Sequence, residues 1–222
     1  YRENEPDKAN ECYKNALNTL RKIHDERGEA EVLGALGQVN WDKDNQASLA
    51  YYKEALEKRL KVDDKQLIGN TLNSIGLFYS TFSNDYNRAI EYFDKAVIIR
   101  TEIGDQVSLN RTLSLKAEAY LKAGDYLNSI GDYPEAIENM GNALQMHRNL
   151  NNRIRAGVVL SQMGYVYANM GDLSTALEKL NEAAVIMKEE NDTLELAGVY
   201  NHLGIVLQGA GRIERSLDYY ND

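Results

Sequence analysis

Residues 160–184, LSQMGYVYANMGDLSTALEKLNEAA, decide the fold. Leu160, Met163 and Tyr167 stand at i, i+3 and i+7, the spacing of one face of an α-helix. Gly164 lies beside them and removes a side chain where a neighbouring helix must come close. Gly171-Asp172 then interrupts the pattern. Glycine suits the left-handed residue that ends a helix, and aspartate can accept hydrogen bonds from the orphan amides that begin the next one. Beyond the turn, Ala176, Leu180 and Ala183 mark a second helix whose small residues allow close contact with the first. The stretch reads as helix A, tight turn, helix B.

The same unit recurs on both sides of this stretch. Helix-B triplets stand at Ala9/Tyr13/Ala16, Ser48/Tyr52/Ala55, Ala89/Phe93/Ala96 and Ala136/Met140/Ala143, and a last one begins at Ser216/Tyr220. Their leading residues are separated by 39, 41, 47, 40 and 40 positions. Helix-A patterns stand upstream at Leu33…Leu36-Gly37, Leu72…Ile75-Gly76…Tyr79, Leu113…Ala117…Tyr120 and Tyr200…Leu203-Gly204, with turn signals at Asn84-Asp85, Gly124-Asp125 and Gly211-Arg212. A single hairpin cannot bury its own apolar faces, so stacking must supply the core.

These residues resemble the tetratricopeptide repeat, which runs aromatic/Leu…Leu-Gly…Tyr…Ala…Phe/Tyr…Ala. The resemblance covers nearly the whole chain. It implies an all-α fold, a right-handed α-α superhelix or solenoid of antiparallel helix hairpins. Residues 1–27 would be helix B of a truncated first repeat. Residues 28–63, 64–104, 105–151 and 152–191 would be full repeats, and 192–222 a truncated sixth. The period of about forty residues exceeds the usual ~34 and resembles the subclass found in kinesin light chains and bacterial signalling and regulatory proteins. The chain begins at Tyr1 without a methionine and stops inside a helical pattern, so it is expected to be a piece of a larger protein with apolar terminal repeats.

Departures from the pattern are informative because each repeat is a control for the others. The 47-residue step carries seven extra residues that look like a duplicated turn, Gly124-Asp125-Tyr126-Leu127 and then Gly131-Asp132-Tyr133-Pro134. Seven residues are close to two helical turns, so helix A can lengthen there without rotating its apolar face. Either a surface insertion or a protruding contact ridge results. Lys116 takes the place of Leu36, Ile75, Met163 and Leu203. Its stem is expected along apolar surface with the ammonium reaching water, a buried ion pair being the costlier choice. Trp41, near the end of a helix A, is read as a packing anchor or an exposed contact aromatic. Cys12 is read as a small core residue.

A net charge of −9 opposes nucleic-acid binding, which rests on Lys and Arg. No apolar run approaches the roughly 18–20 residues needed to cross a bilayer. The single cysteine excludes an internal disulfide and suits a reducing, cytoplasmic setting. The three histidines fall in different repeats, no cluster has zinc spacing, and Asp42-Lys43-Asp44-Asn45 lacks the central glycine of a calcium loop. No enzyme, metal or cofactor is expected.

The resemblance implies that the A helices line a concave surface on which a peptide lies. Counted from the Gly or Ala of each Leu-Gly pair, the third residue before is Gly34, Asn73, Ser114, Ser161 and Asn201. The sixth before is Glu31, Asn70, Arg111, Val158 and Gly198, and the next after is Gln38, Leu77, Glu118, Tyr165 and Ile205. Asn73-Ser74-Ile75-Gly76 and Asn201-His202-Leu203-Gly204 resemble the Asn-x-Leu-Gly of kinesin light chains, whose amide holds a peptide backbone. The candidate groove residues are Asn70, Asn73, Arg111, Ser114, Ser161, Tyr165, Asn201 and His202. Among the fifteen ladder positions only Arg111 is basic, which disfavours a free carboxylate or a strongly acidic ligand. The expected function is a protein–protein interaction scaffold or sensor module. The alternative is self-association through the terminal repeats.

Overall fold

A computed structural model describes residues 5–209 and Gly211, with only the backbone for residues 5 and 6. The described residues form helices joined by short turns: α1 (Glu5–Lys22), α2 (Glu26–Val39), α3 (Asn45–Lys61), α4 (Lys65–Phe78), α5 (Tyr86–Ile103), α6 (Gln106–Ile130), α7 (Tyr133–Asn149), α8 (Arg153–Asn169), α9 (Leu173–Glu189) and α10 (Thr193–Gly209). A π-helical turn, Tyr79–Ser83, follows α4. The fold is an all-α repeat of antiparallel hairpins, with α2, α4, α6, α8 and α10 as A helices. The triplet at Ser216/Tyr220 and the turn residue Arg212 lie outside the described residues.

One cap chemistry starts the helices. Asp25, Asp44, Asp64, Asp85, Asp105, Asp132, Asn152, Asp172 and Asp192 each accept a hydrogen bond from the backbone amide three residues on. Such a bond satisfies an orphan donor of the first turn, worth about 1 kcal/mol. All of these except Asp44 follow a residue with positive φ, from Asn84 at 50° to Gly171 at 85°. A left-handed stop followed directly by an acceptor cap reverses the chain in two residues. Asn84-Asp85 and Gly171-Asp172 are such turns, as read from sequence. Gly124-Asp125 is not: both residues lie inside α6, and the turn falls at Gly131-Asp132.

The chain divides into two compact units, Tyr1–Lys116 and Ala117–Asp222, with the division inside α6. In the first unit Leu33, Leu36, Ala55, Ile75, Phe78, Phe93 and Ala96 are at most 1% exposed. A fully buried Leu or Phe contributes about 1.5–3 kcal/mol, so these side chains carry the hairpin contacts. A Cβ on Gly37 would stand 2.7 Å from the Tyr52 ring, and one on Gly76 would stand 2.7 Å from Phe93. The small residue of helix A is therefore the seat for the bulky residue of helix B. Trp41 is half-buried and meets Tyr52, Phe78 and Phe82 edge-on at 6.3, 6.4 and 5.1 Å, which makes it a packing anchor. Lys116 is paired: its Nζ lies 2.5 Å from Asp94 and its side chain is 17% exposed. Cys12 is exposed, so the core reading of that residue is corrected. It points away from the stripe on which Leu17 is buried.

The second unit repeats the scheme. Ala136, Met140, Ala143, Leu160, Leu180, Ala183 and Leu203 are fully buried. A Cβ on Gly164 would stand 2.7 Å from Leu180, and one on Gly124 would stand 2.6 Å from Met140. The second distance revises the register of α6. Gly124, not Ala117, is the seat for the triplet of its own hairpin. It lies seven residues before Gly131, as Gly164 lies seven before Gly171. The extra two turns of α6 therefore precede Gly124. Helix α6 has 25 residues against 17 in α8, so the insertion does lengthen a helix rather than loop out. In the first unit Asn84 lies eight residues after Gly76, and the intervening π turn absorbs the additional one.

Candidate functional site

The A helices offer three kinds of position, counted from the seat glycine. In the first unit the third residue before it is not open. Asn73 is 8% exposed and donates from Nδ2 to Thr112 Oγ1 at 2.9 Å, bridging α4 to α6, while its Oδ1 is buried without a hydrogen-bond partner. The sixth position before is open. Asn70 is exposed, and its Oδ1 accepts from Arg100 Nη2 at 2.7 Å. Arg100 itself is 2% exposed and also reaches Asp105 at 3.3 Å. Burial lowers the pKa of that guanidinium, Asp105 opposes the shift, and the charge of Arg111 adds to it. Arg111 is exposed and Ser114 half-buried, both in the part of α6 that precedes the register set by Gly124. In that register the corresponding α6 residues are Glu118, Leu121 and Asp125.

In the second unit Ser161 is again covered. It is 5% exposed, and its Oγ lies 2.9 Å from Nδ1 of His202, joining α8 to α10. Burial lowers the pKa of His202, which favours its neutral ring. Tyr165 stacks on the same imidazole, with ring centres 5.2 Å apart and planes 21° apart. Asn201 is exposed. The third-before ladder therefore mixes roles: Asn73 and Ser161 join neighbouring A helices, whereas Asn201 is open. The open polar and aromatic surface lies at the sixth-before and next-after positions.

Between α6 and α8, Glu118 accepts from Arg155 Nε at 2.9 Å and also from its Nη2. His147 Nε2 lies 3.7 Å away, an electrostatic contact rather than a hydrogen bond. His147 and Arg155 hold the Glu118 carboxyl down at about 2. Asp125 is half-buried and accepts at Oδ2 from Gln162 Nε2 at 3.2 Å. Burial, and then the charge of Glu118, push its carboxyl up to about 6. Glu118, Asp125, Gln162, Tyr165 and His202 thus form a polar and aromatic strip over three A helices of this unit.

Sequence reasoning missed Asp125 because the register of α6 was counted from Ala117, and Gln162 because it stands two residues before Gly164, on none of the three ladders. It also missed a column on the B helices. Eleven residues after each triplet's leading residue stand Leu20, Arg59, Arg100, His147 and Met187. Arg59, Arg100 and His147 are 7%, 2% and 1% exposed. Basic residue types at a recurring core position were the available signal. Among the described residues, no three His, Cys, Asp or Glu side chains are grouped to hold a metal ion. No described helix is long and apolar enough to cross a membrane.

Models of the tetratricopeptide repeat match residues 70–100 and 115–189. No curated protein sequence matches the chain. Among solved structures, the chain is similar to BtubC (BKLC) from P. vanneervenii, at 16% identity and a TM-score of 0.64, covering 98% of this chain and 89% of that one. It is similar to the apo form of RapI at 16% identity and a TM-score of 0.71, covering 94% of this chain and 57% of that one. A Rap protein complexed with Competence and Sporulation Factor matches at 18% identity and a TM-score of 0.52, over 92% of this chain and 56% of that one. The chain thus spans just over half the length of these two Rap proteins.

Proposed function

From a chain that carries tetratricopeptide repeats, we propose a non-catalytic module that binds a segment of another polypeptide across its A-helix face, as a scaffold or sensor within a larger signalling or regulatory protein. The observation that carries this reading is the strip in the second unit. Glu118, Asp125, Gln162, Tyr165 and His202 are all half-buried, close enough to the surface to be touched and held by neighbours in one geometry. Polar groups preorganised in this way hold a ligand at low entropic cost. The Rap protein complexed with a factor supports the reading by its shared fold. Asn201 supplies an open amide, which can both donate to and accept from a main chain.

A random-peptide display library panned against the 222-residue chain tests this reading. Selected peptides should lose about tenfold or more in affinity, roughly 1.4 kcal/mol, when Tyr165→Ala is combined with Asn201→Ala, with helicity unchanged. Unchanged affinity would remove the A-helix face as the site. Light scattering over a concentration series separates self-association, since a strict monomer that still binds peptide leaves that alternative without support.

A further inference from the structure

Gly34 leaves an empty place on the A-helix ladder of the first unit, and the guanidinium of Arg59 fills it. A Cβ on Gly34 would stand 2.6 Å from Arg59 Nη2. Arg59 belongs to α3, and its side chain passes between α2 and α4 to get there. The equivalent places hold Asn73 in α4 and Ser161 in α8, neutral side chains that join the next A helix at Thr112 and His202. Arg59 makes a joint of the same kind through Nη1, which donates to Thr71 Oγ1 and to the Leu67 carbonyl of α4. That joint uses one nitrogen. Nη2 donates to nothing among the described residues and, unlike Nε, is not closed off from solvent.

The charge is as unmatched as the donor. Among the described residues no carboxylate forms an ion pair with Arg59, whereas Arg100, its counterpart in α5, reaches Asp105. Asp64 and Glu31 act on Arg59 only from a distance. Asp64 caps α4 at the Leu67 amide, and Glu31 lies 3.9 Å from Arg27 Nε. Burying a cation without a counter-ion is costly. Packing does not require one at this position, because the same column holds the fully buried Met187 in α9.

The missing group has a definable chemistry. It accepts a hydrogen bond from Nη2 and brings the negative charge that Arg59 lacks. A carboxylate does both, and a charge-assisted bond from a guanidinium is among the stronger kinds. A phosphate dianion fits less well, because Glu31 and Asp64 stand near enough to repel its second charge. Nε is closed from solvent, so the contact is made at Nη2 alone. Counting basic residues on the ladders omitted this charge, because it arrives from a B helix.

We propose that Arg59 Nη2, at the place of Gly34 on the A-helix face of the first unit, is a subsite for one Asp or Glu side chain of a bound polypeptide, an inference that rests on the binding function proposed above. One carboxylate in an otherwise neutral or basic segment suits a chain of net charge −9.

The experiment is display selection with peptides flanked on both sides by fixed sequence, so that no free C-terminus takes part. The wild-type chain should enrich Asp or Glu at one register position, and Arg59→Met should lose that enrichment. For one selected peptide, replacing its acidic residue by the corresponding amide should weaken binding about tenfold or more to the wild type and less than about twofold to Arg59→Met. Arg59→Gln, which keeps a donor and removes the charge, serves as the neutral variant should circular dichroism show that Arg59→Met does not fold. Selected peptides without an acidic preference, or a preference that survives in the neutral variant, overturn the subsite while leaving the binding function standing. A chain that selects no peptide overturns both.

Discussion

Replacing Arg59 by methionine should leave the protein equally stable or more stable, although the substitution deletes a buried charge and its hydrogen bonds. Arg59 is 7% exposed between α2 and α4. Its Nη1 donates to Thr71 Oγ1 and, at 3.4 Å, to the Leu67 carbonyl, while Nε is buried with no partner. No carboxylate forms an ion pair with it among the described residues. Burial lowers its pKa, and the more distant Asp64 and Glu31 only partly oppose that. The same column in α9 holds Met187, fully buried, whose Cε lies 2.6 Å from the Cβ position of Gly157, as Arg59 Nη2 lies 2.6 Å from that of Gly34. The repeat thus supplies its own template for an apolar residue of this length. Desolvating an ion costs several kcal/mol, and one good hydrogen bond from a charged group returns about 1.5–3 kcal/mol. Thr71 keeps its own bond to the Leu67 carbonyl at 2.7 Å, so the substitution leaves no new buried donor. The balance favours Arg59→Met by about 1 kcal/mol, or a Tm higher by roughly 2–4 °C for a chain of this size. Thermal melts followed by circular dichroism, with urea titration for the free energy, measure it. A fall in Tm of more than about 4 °C would refute the reasoning, since the guanidinium would then be a net stabiliser.

Asp125→Asn carries a pH signature. The folded carboxyl is raised to about 6 from its ordinary 3.8, so between those values the folded chain holds a proton that the unfolded chain releases. Stability from this group is present at low pH and is lost as pH rises through about 6. At neutral pH the variant should be more stable by about 1–2 kcal/mol, and the two melts should converge below about pH 4. Gly124→Ala should destabilise by about 1–3 kcal/mol, because its Cβ would meet Met140 at 2.6 Å and the Ala136 carbonyl at 3.1 Å. Gly198→Ala, with nothing within 4 Å, should instead stabilise by about 0.5–1 kcal/mol; equal effects in denaturant titrations would contradict the revised register. Trp41→Ala should cost about 3 kcal/mol by removing the edge contacts to Tyr52, Phe78 and Phe82, and an unchanged melt would show that the ring packs nothing. Cys12, being exposed, should react with a thiol reagent in the native protein as fast as in the unfolded chain.

The sequence by itself determined the hairpin unit. Apolar residues at helical spacing, small residues opposite bulky ones, and a left-handed stop followed by an aspartate cap are local properties, and each recurs often enough to be read against its own copies. The resemblance to the tetratricopeptide repeat followed from the same residues, and models of that repeat match residues 70–100 and 115–189. Tertiary structure decided what depends on which surfaces meet. Gly124 is the seat of its hairpin because Met140 lies on it, and a seven-residue insertion preserves helical phase so well that Ala117 presents the same pattern. Asn73 and Ser161 read as groove residues from the family resemblance and their ladder spacing, yet the next A helix covers them with Thr112 and His202, since a helix face open in one hairpin closes when the next one stacks. Arg59 and Arg100 belong to B helices, but their side chains are long enough to reach between A helices, a distance that no periodicity encodes. Local pattern specifies the repeat, and stacking selects which of its polar residues stay open to a partner.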